Sequence, residues 1–301
     1  MNQKSRGFEV VTVGEILADL TPERNKYILN SGGAPANVAV NLARLGIKSA
    51  VLGKVGDDFI GRGCIDFLKK NGVGVQGIKK IKKYRTGLVF VFIDGRGERD
   101  FSFYGHPSAD TMLGRGDINI PMIKKSRILH FGSISMMAPK SRAATLAAIK
   151  AARGYGKLIS YDPNVRLNLW EGRYSEAKKL IRCYFKYADI IKISDNEFEF
   201  LFGKKASAQS IDSVFGPGKL VFVTLGKNGC IVKRNGFCRR VPGIKAKTVD
   251  TTGAGDAFMA GVLYEMRKFK GVNEPDDKQL VRAAVFANKQ GAKCVLKKGA
   301  V

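Results

Sequence analysis

Residues Arg127 to Tyr161, RILHFGSISMMAPKSRAATLAAIKAARGYGKLISY, contain one full repeat of the pattern that decides the fold. The apolar runs Arg127–Phe131 and Lys157–Tyr161 are typical of buried strands, and Ser141–Arg153 between them has the length and composition of a helix. A strand, a helix and a second strand in this order form the βαβ unit of a parallel sheet. This stretch therefore predicts an α/β fold.

The same alternation continues on both sides of this unit. Further strands are predicted at Phe8–Val13, Ala50–Gly53, Asp189–Ile193, Leu220–Thr224 and Gly229–Lys233, and further helices at Pro35–Leu45 and Ser175–Tyr187. The pattern predicts a doubly wound, mostly parallel sheet flanked by helices. No linker divides the chain, so we expect residues 1–301 to form a single domain.

One region departs from the alternation. The segment Thr86–Tyr104, TGLVFVFIDGRGERDFSFY, contains two strand-like runs joined at Asp94-Gly95, which is a strong hairpin signal. Together with residues of about 15–30, it is predicted to form a small β-sheet projecting from the main domain. We expect this subdomain, about 15–30 and 86–110, to be a lid over a site.

The charge of the chain favours anionic partners. The 52 lysine and arginine residues outnumber the 26 aspartate and glutamate residues and give a net charge of +26, whose field attracts anions such as nucleotides. The basic residues are spread along the sequence, and only Lys79–Arg85 (KKIKKYR) forms a dense run, which we interpret as a solvated surface. A nucleic-acid partner is therefore not the expected one.

The sequence gives little sign of secretion or membrane insertion. The N-terminus lacks the apolar core of a signal peptide, and no apolar stretch reaches the ~20 residues that a membrane span needs. The five cysteines are scattered without a CxxC pair, so neither a disulfide framework nor a zinc site is indicated. We expect a cytoplasmic protein with no membrane partner.

Two motifs near the N-terminus contain closely spaced glycines. In Ser31–Asn37, SGGAPAN, adjacent glycines allow a ligand to approach the backbone, and Asn37 offers a donor and an acceptor to hydroxyls; a tight turn with a capping amide is the alternative. Gly72–Gly77, GVGVQG, matches GxGxxG but follows a predicted helix, whereas a dinucleotide fingerprint follows a strand. We reject a dinucleotide site there.

Two further motifs place carboxylates at predicted helix starts. Ser194–Glu197, SDNE, has the spacing of a capping box, although Glu197 at a strand end can also orient water on a phosphate-bound metal ion. In Asp250–Asp256, DTTGAGD, two glycines permit converging N–H groups at a helix N-terminus, a site for an anion or a transferring phosphoryl group. Asp256 is placed to accept a hydroxyl proton; complementing the helix dipole explains Asp256 but not the glycines.

These residues carry a recognisable signature. The chain resembles the ribokinase-like (pfkB) family of carbohydrate kinases, through SGGAPANVAVNLARLGIKSAVLGKVGDDFIGRG (residues 31–63) and DTTGAGDAFMAG (residues 250–261). Within that family it is most similar to the fructokinase branch, through GGAPANVAV, GSIS, YDPNVRLNLW and IIKIS. The resemblance implies a large α/β domain with a β lid and ATP-dependent phosphorylation of a sugar, with Mg²⁺ and, in many relatives, a monovalent cation such as K⁺.

The resemblance also implies roles for individual residues. The implied catalytic group is Asp256 as base with Gly253, Ala254 and Gly255 as anion hole; the sugar contacts are Asp19, Gly32, Gly33, Asn37 and Arg166; the nucleotide site is Thr224, Gly226, Gly229 and Asn288; the Mg²⁺ water ligand is Glu197; and the monovalent-cation loop contains Asp250 and Thr252. Two positions depart from the branch: Ser194 replaces the asparagine of NxxE, and Gly105-His106 replaces Arg-Asn in the lid.

We expect phosphorylation of fructose to fructose 6-phosphate by a monomer or homodimer. Kinases for ribose, 2-keto-3-deoxygluconate and nucleosides share the scaffold and remain alternatives, because fold analogy does not choose among them. A kinase-fold protein that acts only by binding is a further alternative, but its site would be free to lose Asp256, Gly253, Gly255 or Asn37, and the chain retains all four.

Overall fold

The computed structural model describes residues 7–93, 99–105 and 107–301. The strands in this part of the chain are β1 (Val10–Val13), β2 (Leu17–Glu23), β3 (Lys26–Gly32), β4 (Ser49–Gly56), β5 (Gly74–Ile81), β6 (Gly87–Ile93), β7 (Arg99–Tyr104), β8 (Ile128–Phe131), β9 (Leu158–Tyr161), β10 (Ile190–Ser194), β11 (Leu220–Thr224), β12 (Cys230–Arg234) and β13 (Phe237–Val241). The α-helices are α1 (Ala34–Arg44), α2 (Phe59–Lys70), α3 (Ile120–Lys125), α4 (Pro139–Gly154), α5 (Tyr174–Tyr184), α6 (Asp195–Phe202), α7 (Ala208–Phe215), α8 (Ala254–Met266) and α9 (Asp277–Cys294).

The main sheet has nine strands in the order β13-β12-β11-β10-β9-β8-β1-β4-β5 among the described residues. From β5 through β11 the neighbours are parallel, whereas β12 runs antiparallel to β11 and β13 antiparallel to β12. Helices cover both faces. The predicted doubly wound, mostly parallel sheet is confirmed.

The strand order places a ligand crevice at the end of β1. From β1 the sheet grows toward β4 and β5 on one side and toward β8 and the later strands on the other. Loops at such a switch point diverge to opposite faces of the sheet and leave a crevice beyond the carboxyl ends of the strands. Gly14 and Glu15 directly follow β1 and therefore lie at this crevice.

The two faces of the sheet form two apolar layers. Val11 and Leu129 belong to a buried cluster with residues of α4. Their sequence neighbours Val10 and Ile128 point to the opposite face and pack with Phe258 of α8. This alternation follows from the two-residue period of a strand, and it fixes α8 against the sheet on the side opposite α4.

A second, smaller sheet has the strand order β3-β2-β6-β7. The predicted antiparallel pairing of the two runs in Thr86–Tyr104 is confirmed by β6 and β7, and β2 joins β6 in parallel register. The hairpin turn predicted at Asp94-Gly95 lies outside the described residues, as does His106.

The structure also bears on the GxGxxG match, the basic run and the absence of a predicted membrane span. Gly72–Gly77 follows α2 and enters β5, so this GxGxxG match precedes no helix, in accord with its rejection as a dinucleotide site. The lysines of the run Lys79–Arg85 are exposed at the sheet edge that β5 forms, as a solvated surface requires. Among residues the structure describes, no helix combines the length and apolar character that crossing a bilayer demands.

Candidate active site

The turn before α8 explains both glycines of DTTGAGD. Gly253 has φ of 76°, in the left-handed region, and a Cβ on it would lie 2.3 Å from the carbonyl oxygen of Ala300. A Cβ on Gly255 would lie 2.9 Å from Nζ of Lys192. The turn is therefore packed between the C-terminal segment on one side and a buried ammonium group on the other, and neither position has room for a side chain.

The N-terminus of α8 presents backbone N–H groups at this turn. The predicted anion-hole residues Gly253, Ala254 and Gly255 form the first turn of the helix. The N–H of Ala254 donates to the carbonyl oxygen of Thr251 at 3.2 Å. The other N–H groups of a first helical turn have no intrahelical acceptor, and the helix dipole adds positive potential there. Gly255 and Asp256 therefore contribute donors suited to an anion.

The side chain of Asp256 is held from the other end of the chain. Asn37 Nδ2 donates to Asp256 Oδ2 at 2.9 Å, although the two residues are 219 positions apart. Both side chains are buried, with exposures of 6% each. The N-terminal SGGAPAN motif and the C-terminal DTTGAGD motif thus meet in one site.

The charge environment of Asp256 consists of opposing contributions. Burial raises the pKa of this carboxyl above 3.8, while the hydrogen bond from Asn37 and the positive charges of Arg166 and Lys192 lower it. A raised pKa makes the ionised carboxylate a stronger base than that of an exposed aspartate. The surroundings of Asp256 therefore suit a candidate general base.

A buried ion pair that the sequence did not predict lies beneath the turn. Lys192 Nζ is 3.0 Å from Asp162 Oδ2, and both side chains are almost fully buried. Burial lowers the pKa of Lys192, but Asp162 and Glu197 more than reverse this effect and the pKa is raised. The available signal was a lysine inside the buried strand IIKIS and an aspartate directly after the strand at Lys157–Tyr161.

A cavity of about 520 Å³ opens in front of Asp256. The predicted sugar contacts Asp19, Gly33, Asn37 and Arg166 lie on its wall, with Asp256, Thr252, Gly253, Gly255 and Glu15. Asp19, Val89 and Phe103 reach it from the smaller sheet, so the cavity lies between the two sheets. Gly32 stands behind Asp19, since a Cβ there would lie 2.4 Å from Asp19 Oδ2.

A second cavity of about 900 Å³ lies on the other side of the turn. The predicted nucleotide residues Thr224, Gly226, Gly229 and Asn288 all line it, as do Gly255 and Ala254. Asn288 Nδ2 donates to the carbonyl oxygen of Pro242 at 3.0 Å and thereby fixes the loop that follows β13. Gly255 lines both cavities, so the N-terminus of α8 is where they meet.

The predicted monovalent-cation residues tie two loops together. Asp250 Oδ1 accepts from the N–H of Thr252 at 2.7 Å, and Asp250 Oδ2 accepts from the N–H of Gly299 at 2.9 Å. Asp250 is buried, and Thr252 lies on the wall of the smaller cavity. The carboxylate therefore fixes the loop before α8 to the C-terminal segment.

The capping-box interpretation of Ser194–Glu197 is confirmed. The N–H of Ser194 donates to Glu197 Oε2 at 2.8 Å, and the N–H of Glu197 donates to Ser194 Oγ at 3.2 Å. Glu197 Oε1 also accepts from the N–H of Val165 at 2.6 Å. Glu197 thus connects the loop after β9 to the start of α6, and its proposed work on a metal-bound water is additional to this structural one.

Comparison with known proteins places this site in a family. The sequence profile of the pfkB family carbohydrate kinases matches residues 8–301. Fructokinase-2 of Oryza sativa subsp. japonica is 42% identical over 302 residues, covering 97% of this chain and 89% of that protein.

Two solved structures are similar over nearly the whole chain. A double mutant of fructokinase from Vibrio cholerae O395, in fructose, ADP and potassium ion bound form, is 35% identical, with a TM-score of 0.87 and coverage of 99% of this chain and 95% of that one. An uncharacterized sugar kinase from Pyrococcus horikoshii, in complex with ATP, is 35% identical, with a TM-score of 0.84 and coverage of 97% and 93%.

Proposed function

The chain belongs to the pfkB family of carbohydrate kinases, and on that premise we propose that it transfers the γ-phosphoryl group of ATP to the 6-hydroxyl of fructose. The observation that carries the proposal is the hydrogen bond of 2.9 Å between Asn37 and Asp256 at the N-terminus of α8. It sets a buried carboxylate between a sugar-sized cavity and a larger one.

The reaction uses Asp256 as the general base. Its carboxylate takes the proton of the sugar hydroxyl, whose oxygen forms a bond to the γ-phosphorus as the bond from that phosphorus to the oxygen of ADP breaks. The N–H groups of Gly255 and Asp256 stabilise negative charge on the transferring group, and the dipole of α8 adds to this effect. Lys192, 2.9 Å from the position of a Gly255 Cβ, adds positive charge beneath the turn.

The two cavities divide the substrates between them. Fructose occupies the smaller cavity, where Asp19, Asn37 and Arg166 contact its hydroxyls. Gly33 lies on the same wall, and Gly32 leaves space for the side chain of Asp19. The smaller sheet contributes Asp19, Val89 and Phe103 to the wall and serves as the lid. ATP occupies the larger cavity, which is lined by Thr224, Gly226, Gly229 and Asn288.

Metal ions assist at two places. Glu197 would hold a water of an Mg²⁺ ion bound to the ATP phosphates, and that ion would neutralise charge during transfer. The loop that contains Asp250 and Thr252, next to the residues that begin α8, would hold a monovalent cation such as K⁺. The potassium ion bound form of the fructokinase from Vibrio cholerae O395 supports this assignment.

A substrate panel tests the proposed reaction. ATP consumption is measured for fructose, other ketoses, aldoses, ribose, 2-keto-3-deoxygluconate and nucleosides, with Mg²⁺ present and with and without K⁺. We expect the highest kcat/KM for fructose. A higher value for a nucleoside or another sugar would replace fructose as the substrate, and no ATP consumption with any acceptor would reject the kinase function.

The hydrogen bond from Asn37 predicts a shift in the pH profile. Asp256 acts ionised, so activity is present above its pKa and is lost as the pH falls through it. Asn37 lowers that pKa, and we therefore expect Asn37→Leu to move the acid limb of kcat to higher pH. Asn41→Leu, one turn along α1, is the matched control, because Asn41 Nδ2 bonds to the backbone carbonyl of Asn37 and not to Asp256. An unmoved limb in Asn37→Leu, or an equal shift in the control, would contradict this assignment.

Asp250 predicts the response to potassium. In Asp250→Asn one of the two backbone hydrogen bonds, to Thr252 or to Gly299, loses its acceptor oxygen. We expect kcat to fall by about tenfold and its activation by KCl to weaken, an effect of the size typical for residues that orient ion ligands. The measurement is kcat against KCl concentration at constant ionic strength, with choline chloride as the balancing salt. Full K⁺ activation in the variant would refute the assigned cation loop.

A further inference from the structure

Glu15 is a buried acid on the wall of the smaller cavity with no role in the reaction described above. It follows β1 at the switch point of the sheet, its side chain is 2% exposed, and it lines the cavity together with Asp19, Asn37 and Asp256. Glutamate is rarely buried without a reason, because an ionised carboxylate loses its hydration there.

One oxygen of Glu15 has a clear structural role. Glu15 Oε1 accepts from the N–H of Ala34 at 3.1 Å, at the start of α1. The N-cap residue of α1 is Gly33, which has no side chain to cap the helix, and the first turn contains no acidic residue. Glu15 therefore supplies the cap from another segment.

The other oxygen has no structural role among the described residues. Glu15 Oε2 is buried and has no hydrogen-bond partner within the part of the chain that the structure describes. A buried polar atom without a partner costs free energy unless a ligand or water completes it. Because Glu15 lies on the cavity wall, a ligand in the cavity is a candidate partner for Oε2.

The charges around Glu15 favour its neutral form. The pKa of Glu15 is raised to about 8, mainly by burial and also by the negative charges of Asp110 and Asp256, against hydrogen bonds from the backbone N–H groups of Glu15 and Ala34. Asp19 adds another carboxylate to the same wall, and Arg166 is the basic side chain there. Lys192 is paired with Asp162.

We propose that Glu15 recognises the sugar as a neutral carboxylic acid, with its Oε2–H donating a hydrogen bond to a hydroxyl oxygen of the ketose. This inference rests on the proposed function. As carboxylates, Asp19 and Asp256 only accept hydrogen bonds, and the donors on this wall are Arg166 and the second N–H of Asn37 Nδ2, whose first is bonded to Asp256. A neutral Glu15 adds a hydrogen-bond donor for a hydroxyl oxygen of the sugar. The other carboxylates accept from the hydroxyl protons of the sugar, so the donor from Glu15 helps to fix its orientation.

Fructose binding against pH, measured by calorimetry without ATP, tests the inference. The neutral acid is the binding form, so affinity is retained below the pKa of Glu15 and lost as the pH rises through it. We expect the Kd of the wild type to rise about tenfold from about pH 7 to about pH 9. Glu15→Gln keeps both an acceptor for Ala34 and a donor to the sugar, and its Kd should stay within about twofold of the wild-type value at about pH 7 and not change with pH.

A second variant removes the donor. Glu15→Met has similar length but cannot donate a hydrogen bond. We expect its Kd for fructose at about pH 7 to rise at least tenfold, because a sugar hydroxyl would be left without its partner in the site. Asp58→Asn is the control: Asp58 accepts from the N–H of Gly61 at 2.7 Å and from Thr86, it does not line the cavity, and its amide variant should bind fructose like the wild type.

The outcomes separate the inference from the proposed function. A Glu15→Gln variant that binds as weakly as Glu15→Met would show that the ionised carboxylate is needed, and a wild-type Kd that is constant to about pH 9 would show that no neutral acid is involved. Either result overturns the role of Glu15 as a neutral donor. Fructose binding by the wild type would still support fructose as the substrate. Failure of the wild type to bind fructose at any pH overturns both.

Discussion

Asp256→Asn is expected to lower kcat by about a thousandfold while the Kd of fructose changes by less than about threefold. The variant keeps the shape of the side chain and an oxygen that accepts from Asn37 Nδ2, 2.9 Å away in the wild type. It cannot take a proton, and a positioned general base contributes about 10²- to 10⁴-fold to a rate. Steady-state kinetics gives kcat, and calorimetry without ATP gives the Kd.

The control for this experiment is a hydrogen-bonded carboxylate outside the site. Asp117 is partly buried and paired with Lys54 at 2.5 Å, and Asp117→Asn should leave kcat unchanged even if it reduces stability. A turnover number for Asp256→Asn within tenfold of the wild type would rule out Asp256 as the base. Loss of fructose binding in Asp256→Asn would assign Asp256 to binding instead of chemistry.

Gly253→Ala is expected to lower kcat/KM by at least about a hundredfold. The new Cβ would lie 2.3 Å from the Ala300 carbonyl oxygen, at a φ of 76° that alanine rarely adopts, so the turn has to move. Displacing donors by about 1 Å from a transferring group costs a rate factor of about 10². Steady-state kinetics measures the loss, and thermal unfolding confirms that the variant is folded at the assay temperature.

Gly203→Ala is the matched control for Gly253→Ala. Gly203 ends α6 with φ of 67°, and nothing lies within 4 Å of the Cβ that alanine would add. The substitution imposes the same backbone strain without the steric clash and far from α8, so Tm should fall while kcat/KM stays at the wild-type value. Equal losses of kcat/KM in the two variants would mean that the Gly253 turn has no special part in the reaction.

The central fold was predictable because its strands are buried on both faces. Leu220–Thr224 was predicted to the residue, and β8, β9 and β10 were predicted to within one residue at each end. Strands β5 (GVQGIKKI) and β13 (FCRRV) were missed, because they form the two edges of the sheet and carry exposed Lys79, Lys80 and Arg239. An edge strand is partly solvated, so its apolar signal is weak.

The site could be predicted where a local sequence pattern exceeds what secondary structure alone requires. Two glycines before Asp256 exceed what a helix cap needs, and the structure explains them by contacts with Ala300 and Lys192. The contact between Asn37 and Asp256 could not be predicted from spacing, since it joins residues 219 positions apart through the topology of the sheet. The position of Gly32 behind Asp19 likewise depends on the pairing of β2 with β3.

The buried charges of the site were missed because single acidic or basic residues carry no pattern. Lys192 interrupts an apolar strand by one position, and Asp162 follows another strand; only their distance of 3.0 Å shows that they form a pair. Glu15 could not be recognised from the sequence for the same reason. Its importance depends on burial and on an oxygen that lacks a partner among the described residues, and neither property is written in the sequence.

The most direct test of the central claim is the identity of the product. Wild-type protein is incubated with fructose, MgATP and KCl, and the reaction is followed by ³¹P NMR. The expected result is one equivalent of ADP for each equivalent of fructose 6-phosphate, with no phosphate released from ATP in the absence of sugar. Phosphate on another carbon of fructose, inorganic phosphate as the main product, or unchanged ATP would contradict the claim.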